Sequence, residues 1–158
     1  MEYLEQALRA MERDGLKRAL RPLTPLGPAR ALLNGRELIL FCTNNYLGLT
    51  HHPLVVKKAR EALEVYGTGS GAARLVSGDT PLHQALEKAI ARFKGCARAV
   101  VFPSGYMANI AAISALAGRG DIIFCDRLCH ASLLDGCRLS GAKTVRFRHN
   151  DASSLREL

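Results

Sequence analysis

The chain has 158 residues, is 48% hydrophobic, and carries 22 Lys and Arg against 14 Asp and Glu for a net charge of +8. No run of eighteen apolar residues occurs, which excludes a membrane-spanning helix; the opening MEYLEQALRAMERDG has acids throughout and no apolar signal core, so a cytoplasmic location is expected. The basic residues are scattered rather than striped and only 6% of residues are aromatic, which favours a solvated surface tolerant of anionic ligands over a nucleic-acid interface.

In chain order, residues 2–20 read as a helix broken or ended near Gly15. RPLTPLGP, Arg21 to Pro28, has three prolines in eight residues and must be extended. Glu37–Thr43 (ELILFCT) reads as a strand, and NNYLGL turns the chain. Pro53 opens a helix that continues to about Tyr66, in a first-turn position where its missing N–H costs nothing. The Gly67–Asp79 segment has four glycines and no helical period, so it is a loop whose backbone lies close to something. Thr80 and Pro81 then start a helix with an apolar stripe from Leu82 to Phe93, ended by Gly95.

From there strands and helices alternate. Strand Ala97–Phe102 leads to helix Tyr106–Ala117, strand Ile122–Cys125 to a helix near Ala131–Leu139, and strand Thr144–Phe147 to Asp151, the expected cap of one more helix. Apolar strands alternating with helices imply a mainly parallel sheet covered on both faces. Three strands would leave two bare edges, so the chain reads as cut within a larger sheet.

The five cysteines, Cys42, Cys96, Cys125, Cys129 and Cys137, are an odd set without a signal peptide, which argues against a disulfide framework. Cys125, Cys129 and His130 fit no zinc spacing and have no second ligand pair, so no metal is expected.

The chemistry gathers at two strand ends. In VVFPSGYMANIAA the Ser104–Gly105–Tyr106 turn opens a helix whose first N–H groups lack internal partners, a natural seat for a phosphate. On this segment alone, a plain Ser cap and Gly turn with nothing bound is the favoured reading. At the next strand end, FCDRLCHASLLDG puts His130 at another helix start, so an imidazole and an anion seat would face one crevice.

Four stretches together, TNNYLGLTHHP, GTGSGAARLVSGDTPLHQALE, FPSGYMAN and DRLCHASLLDGCRLSGA, resemble the α-oxoamine synthases. These are pyridoxal 5'-phosphate (PLP) enzymes of the aspartate-aminotransferase fold, fold type I. The resemblance runs from about Arg21 to Asp151 and implies an incomplete α/β fold of that type. Residues 1–46 would be an N-terminal helix and extended arm of the small domain, and 47–158 the first part of the PLP-binding large domain.

The resemblance implies that Ser104, Gly105 and Tyr106 hold the cofactor phosphate, through the N–H groups of Gly105 and Tyr106. It implies that His130 stacks on the pyridine ring as cofactor-binding and catalytic residue, that Arg21 binds a substrate carboxylate, and that Asn44 lines the substrate site. Arg18, one turn before Arg21, is an alternative, and Asn44 has an equally good role in the turn itself. The member it looks most like condenses L-alanine with pimeloyl-CoA or a pimeloyl carrier protein, with decarboxylation, in biotin synthesis, and works as a homodimer. Another α-oxoamine synthase, such as 2-amino-3-ketobutyrate CoA ligase, remains open, as does a non-catalytic module that binds phosphate ligands or subunits.

None of Lys17, Lys57, Lys58, Lys88, Lys94 and Lys143 matches the family's Schiff-base lysine, and the acid that pairs with the pyridine nitrogen is also missing. The resemblance therefore implies an N-terminal fragment, inactive alone, of a longer enzyme.

Overall fold

The computed structural model describes residues 2–158, and the chain divides into two compact units, one reaching to Gly69 and one spanning Ser70–Leu158.

In the first unit, helix α1 (Glu2–Arg13) carries Glu2 and Glu5 in its first turn and Arg13 in its last, each matching the helix dipole. It stops at Gly15, whose φ of 68° no L-residue adopts cheaply. A three-stranded antiparallel sheet follows: β1 (Thr24–Pro25), β2 (Arg30–Leu33) and β3 (Arg36–Ile39). Asn34 and Gly35 link β2 to β3 with φ of 50° and 79°, the primed geometry of a two-residue hairpin. Ala31, on β2, is buried.

The strand expected over Glu37–Thr43 is thus shorter and begins earlier. Its partner runs out: Ile39 pairs with Arg30, the Leu40 N–H donates to the Ala29 carbonyl, and beyond that no neighbouring strand continues the ladder. Helix α2 covers Pro53–Tyr66, with Pro53 in its first turn and Gly67 at its end.

The second unit begins with a wide helical turn, Arg74–Gly78, inside the glycine-rich loop. Gly78 is required there, because a Cβ would overlap the Ala72 carbonyl. Helix α3 (Pro81–Lys94) ends on Gly95 in the left-handed region, φ 65°. Then come α4 (Gly105–Leu116), β4 (Ile122–Asp126), α5 (Ala131–Ser140), β5 (Lys143–Phe147) and α6 (Ala152–Arg156), the last capped by the Asp151 carboxylate on the Ser154 N–H. Strands β4 and β5 pair in parallel, from Ile122 opposite Lys143 to Asp126 opposite Phe147, so the parallel sheet is present.

The strand expected over Ala97–Phe102 is not formed. A strand is defined by its neighbours, and here side chains take the backbone instead: the Val101 N–H donates to Glu87 and its carbonyl accepts from Arg74. Helices α4 and α5 pack closely where Gly136 faces Ile113 and the Asn109 carbonyl, and Cys137 and Ser132 are fully buried at that contact.

Candidate functional site

Ser104 is the N-cap of α4. Its backbone is extended (φ −152°, ψ 156°), and its hydroxyl accepts from the Met107 N–H at 3.2 Å. The Ala108 N–H is bonded to the Ser104 carbonyl. Among the described residues the N–H groups of Gly105 and Tyr106 have no acceptor. Nothing lies within 4 Å of where a Gly105 Cβ would stand, so open space adjoins the two free donors. Two unpaired N–H groups at a positive helix end suit a phosphate.

The Tyr106 hydroxyl donates to Asp135 on α5 at 2.9 Å. The carboxylate beside it raises the phenol above its ordinary pKa. What Tyr106 offers a ligand is its backbone N–H.

His130 is the N-cap of α5. Its Nδ1 accepts from the Ser132 N–H at 3.2 Å and lies 2.7 Å from the Ser132 hydroxyl. Ser132 in turn meets Asn109, one turn into α4, at 2.8 Å. This chain ties the imidazole to the helix whose N-terminus carries the free donors. The ring is exposed and held in one orientation.

Arg74, Asp79 and Glu87 form a second polar cluster. Arg74 pairs with Asp79 and Glu87 at 2.7 Å each and donates to the Val101 carbonyl, while Gln84 donates to Asp79. Hydrogen bonds from Gln84 and Arg74 lower the Asp79 pKa, those from Arg74 and Val101 lower that of Glu87, and the two acids raise that of Arg74. The cluster lines a cleft of about 470 Å³ that includes neither Gly105 nor His130. It holds the backbone of Val101, ahead of α4, through both its N–H and its carbonyl.

In the first unit, Arg21 borders a cavity of about 330 Å³ with Leu20, Pro22, Leu33 and Asn34, and it makes no ion pair among the described residues. Asn44 is exposed without a hydrogen bond there, whereas Asn45 builds the turn: its amide donates to the Pro28 carbonyl and Thr50 Oγ1 and accepts from the Thr50 N–H. The structural role in NNYLGL therefore belongs to Asn45, which leaves the Asn44 amide available.

Ser132, Asn109, Arg74 and Glu87 lie within the stretches that carry the family resemblance, but none of them is among the expected site residues. The one visible signal was Asn109, a polar residue inside the apolar stretch GYMANIAAISAL.

A family model of class I and II aminotransferases matches residues 36–158. The chain belongs to that family. It is 72% identical over 157 residues to a Desulforudis audaxviator protein provisionally named 8-amino-7-oxononanoate synthase, covering 99% of this chain and 41% of that one. It is 54% identical over 151 residues to the 8-amino-7-oxononanoate synthase of Geobacter sulfurreducens, covering 96% of this chain and 39% of the relative.

Among solved structures, serine palmitoyltransferase from Sphingomonas wittichii superposes with a TM-score of 0.86 at 39% identity, over 98% of this chain and 39% of that one. The 8-amino-7-oxononanoate synthase of Francisella tularensis gives 0.64 at 36% identity, over 75% and 33%. A serine palmitoyltransferase from S. paucimobilis with a TM-score of 0.86, matched over 98% of this chain and 39% of that one, contains PLP. The fold is therefore part of a fold-type I PLP-enzyme architecture, and the chain spans about 40% of the length of the curated relatives it matches.

Proposed function

We propose that this chain is part of an 8-amino-7-oxononanoate synthase, which condenses L-alanine with a pimeloyl thioester of CoA or carrier protein and releases carbon dioxide. The single observation that carries this reading is identity: two relatives bearing that name match nearly the whole chain at 72% and 54%. The site residues are compatible with it and restrict their own roles.

The free Gly105 and Tyr106 N–H groups fit the phosphate of PLP, and Ser104 keeps them aimed by capping the third donor of the same turn. Bound PLP supplies an electron sink that makes the amino-acid α-carbon nucleophilic toward a thioester. The His130 ring is held by Ser132 and would cover bound PLP, excluding water from it. The Arg21 guanidinium offers a two-pronged donor to a carboxylate, and Asn44 an amide to the same substrate. No lysine of this chain is assigned the covalent role. The reading extends to a cytoplasmic homodimer. Among the described residues no helix is long and apolar enough to cross a membrane.

The test offers the native protein L-alanine, glycine or L-serine with pimeloyl-CoA and follows free thiol release. Preference for alanine supports the proposal, whereas preference for glycine or serine assigns the chain to another α-oxoamine synthase.

A further inference from the structure

We infer that Asn109 and the buried Ser132 fix the tautomer of His130, so that the ring carries its proton on Nε2 and presents a hydrogen-bond donor, not a base, to whatever binds there. This deepens the reading of His130 as the ring against the cofactor and rests on it for its functional meaning.

Ser132 is 0% exposed and is the second residue of α5, where a backbone N–H has no acceptor inside the helix. That N–H points at His130 Nδ1 at 3.2 Å. An N–H can only donate, so Nδ1 must offer its lone pair. The Ser132 hydroxyl, 2.7 Å from the same nitrogen, already accepts from the Asn109 amide at 2.8 Å, and its own proton has Nδ1 as the one acceptor within reach among the described residues.

The opposite tautomer, with the proton on Nδ1, would set it against the Ser132 N–H and leave that buried donor without an acceptor. The neutral ring therefore has its proton on Nε2. That nitrogen makes no hydrogen bond among the described residues, and His130 is exposed.

The helix packing holds this geometry. On α4, Asn109 stands four residues before Ile113; on α5, Ser132 stands four residues before Gly136. A Cβ on Gly136 would come 2.9 Å from Ile113 Cδ1 and 3.4 Å from the Asn109 carbonyl, so the glycine allows the approach that brings Ser132 to the Asn109 amide. Asn109 and Ser132 are positioning residues that act through His130. An Nε2–H donor matches an acceptor oxygen, such as the carboxylate of an amino-acid substrate, and cannot take a proton at that atom.

The test is nitrogen NMR of the native apo-protein labelled with 15N-histidine, with the His130 signals identified by their loss in His130→Gln. Nδ1 should appear as the unprotonated, pyridine-type nitrogen and Nε2 as the protonated one; the reverse pattern overturns the inference. Asn109→Asp is nearly isosteric but turns the Ser132 partner from donor to acceptor. The serine proton should then leave His130 for the new carboxylate, and the Nδ1-protonated form should grow to a measurable fraction. A tautomer unchanged in Asn109→Asp overturns the role of Asn109 and Ser132. All spectra are taken without PLP, so an error in the cofactor assignment, read separately from PLP absorbance, can neither produce nor hide the result.

Discussion

Gly136→Ala tests the contact on which the site depends. The added methyl would stand 2.9 Å from Ile113 Cδ1, 3.1 Å from Ile113 Cβ and 3.4 Å from the Asn109 carbonyl. The Cδ1 methyl can rotate away, but the Cβ is fixed to the α4 backbone, so the helices must part by a few tenths of an ångström. Overpacking of this kind costs about 1–3 kcal/mol. Replacing a helical glycine with alanine returns about 1 kcal/mol of intrinsic propensity. We expect a net loss of up to about 2 kcal/mol, the clash being against a branched carbon.

Urea unfolding of the native apo-protein at fixed concentration measures it, as a lower midpoint at unchanged slope. Ile113→Val removes the Cδ1 methyl, so the double variant should lose less than the sum of the two singles. A Gly136→Ala protein about 1 kcal/mol more stable than the parent would show propensity acting alone, and α4 and α5 would not be packed as described.

Three other substitutions separate fold from function. Ser104→Asp keeps a good N-cap, so stability should stay within about 0.5 kcal/mol, while its charge beside the free donors should weaken PLP binding at least tenfold in a fluorescence titration; unchanged affinity would place the phosphate elsewhere. Glu87→Ala leaves Arg74 and the Val101 N–H without their shared acceptor, so stability should fall, with faster hydrogen exchange at Val101 as the local sign.

Asp126 tests the link between the ends of β4 and β5: N–H groups of Asn150 and Leu128 and the His149 ring hold its carboxyl at about 2, below the ordinary 3.8. A folded pKa below the unfolded one means stability present above 3.8 and lost as pH falls toward 2, so Asp126→Asn should flatten the stability–pH curve in that window; an unchanged curve would contradict the network.

Local signals read well where the physics is local. Pro53 with Gly67 and Pro81 with Gly95 bound α2 and α3 as expected, because a first-turn proline and a left-handed glycine act within one turn of chain. Ser104 and His130 were legible for the same reason, as residues at helix starts. The Asn34–Gly35 hairpin was there to be read, yet its strands are short and their apolar alternation weak. The Ala97–Phe102 strand failed because extended propensity needs a paired neighbour, which no stretch of sequence can show for itself.

Ser132 and Asn109 lie inside stretches that carry the resemblance, but no stretch shows that the two meet. Their meeting depends on Gly136 letting two helices 23 residues apart at that contact come together. The turn role in NNYLGL fell to Asn45 rather than Asn44 through bonds to Pro28 and Thr50, and residues that adjacent show no difference in type.

We propose above all that the N–H groups opening α4 hold the cofactor phosphate. Gly105→Pro tests it most directly. Ser104 already has the extended backbone that a following proline demands, proline suits the first position of a helix, and space adjoins Gly105, so α4 should survive with one donor removed. A hydrogen bond to a charged phosphate contributes about 1.5–3 kcal/mol, roughly 10- to 100-fold in affinity. Titrating the native protein and the Gly105→Pro and Gly105→Ala variants with PLP and with phosphate-free pyridoxal, we predict that proline alone collapses the preference for PLP. A preference for PLP that survives proline at full strength would contradict the account.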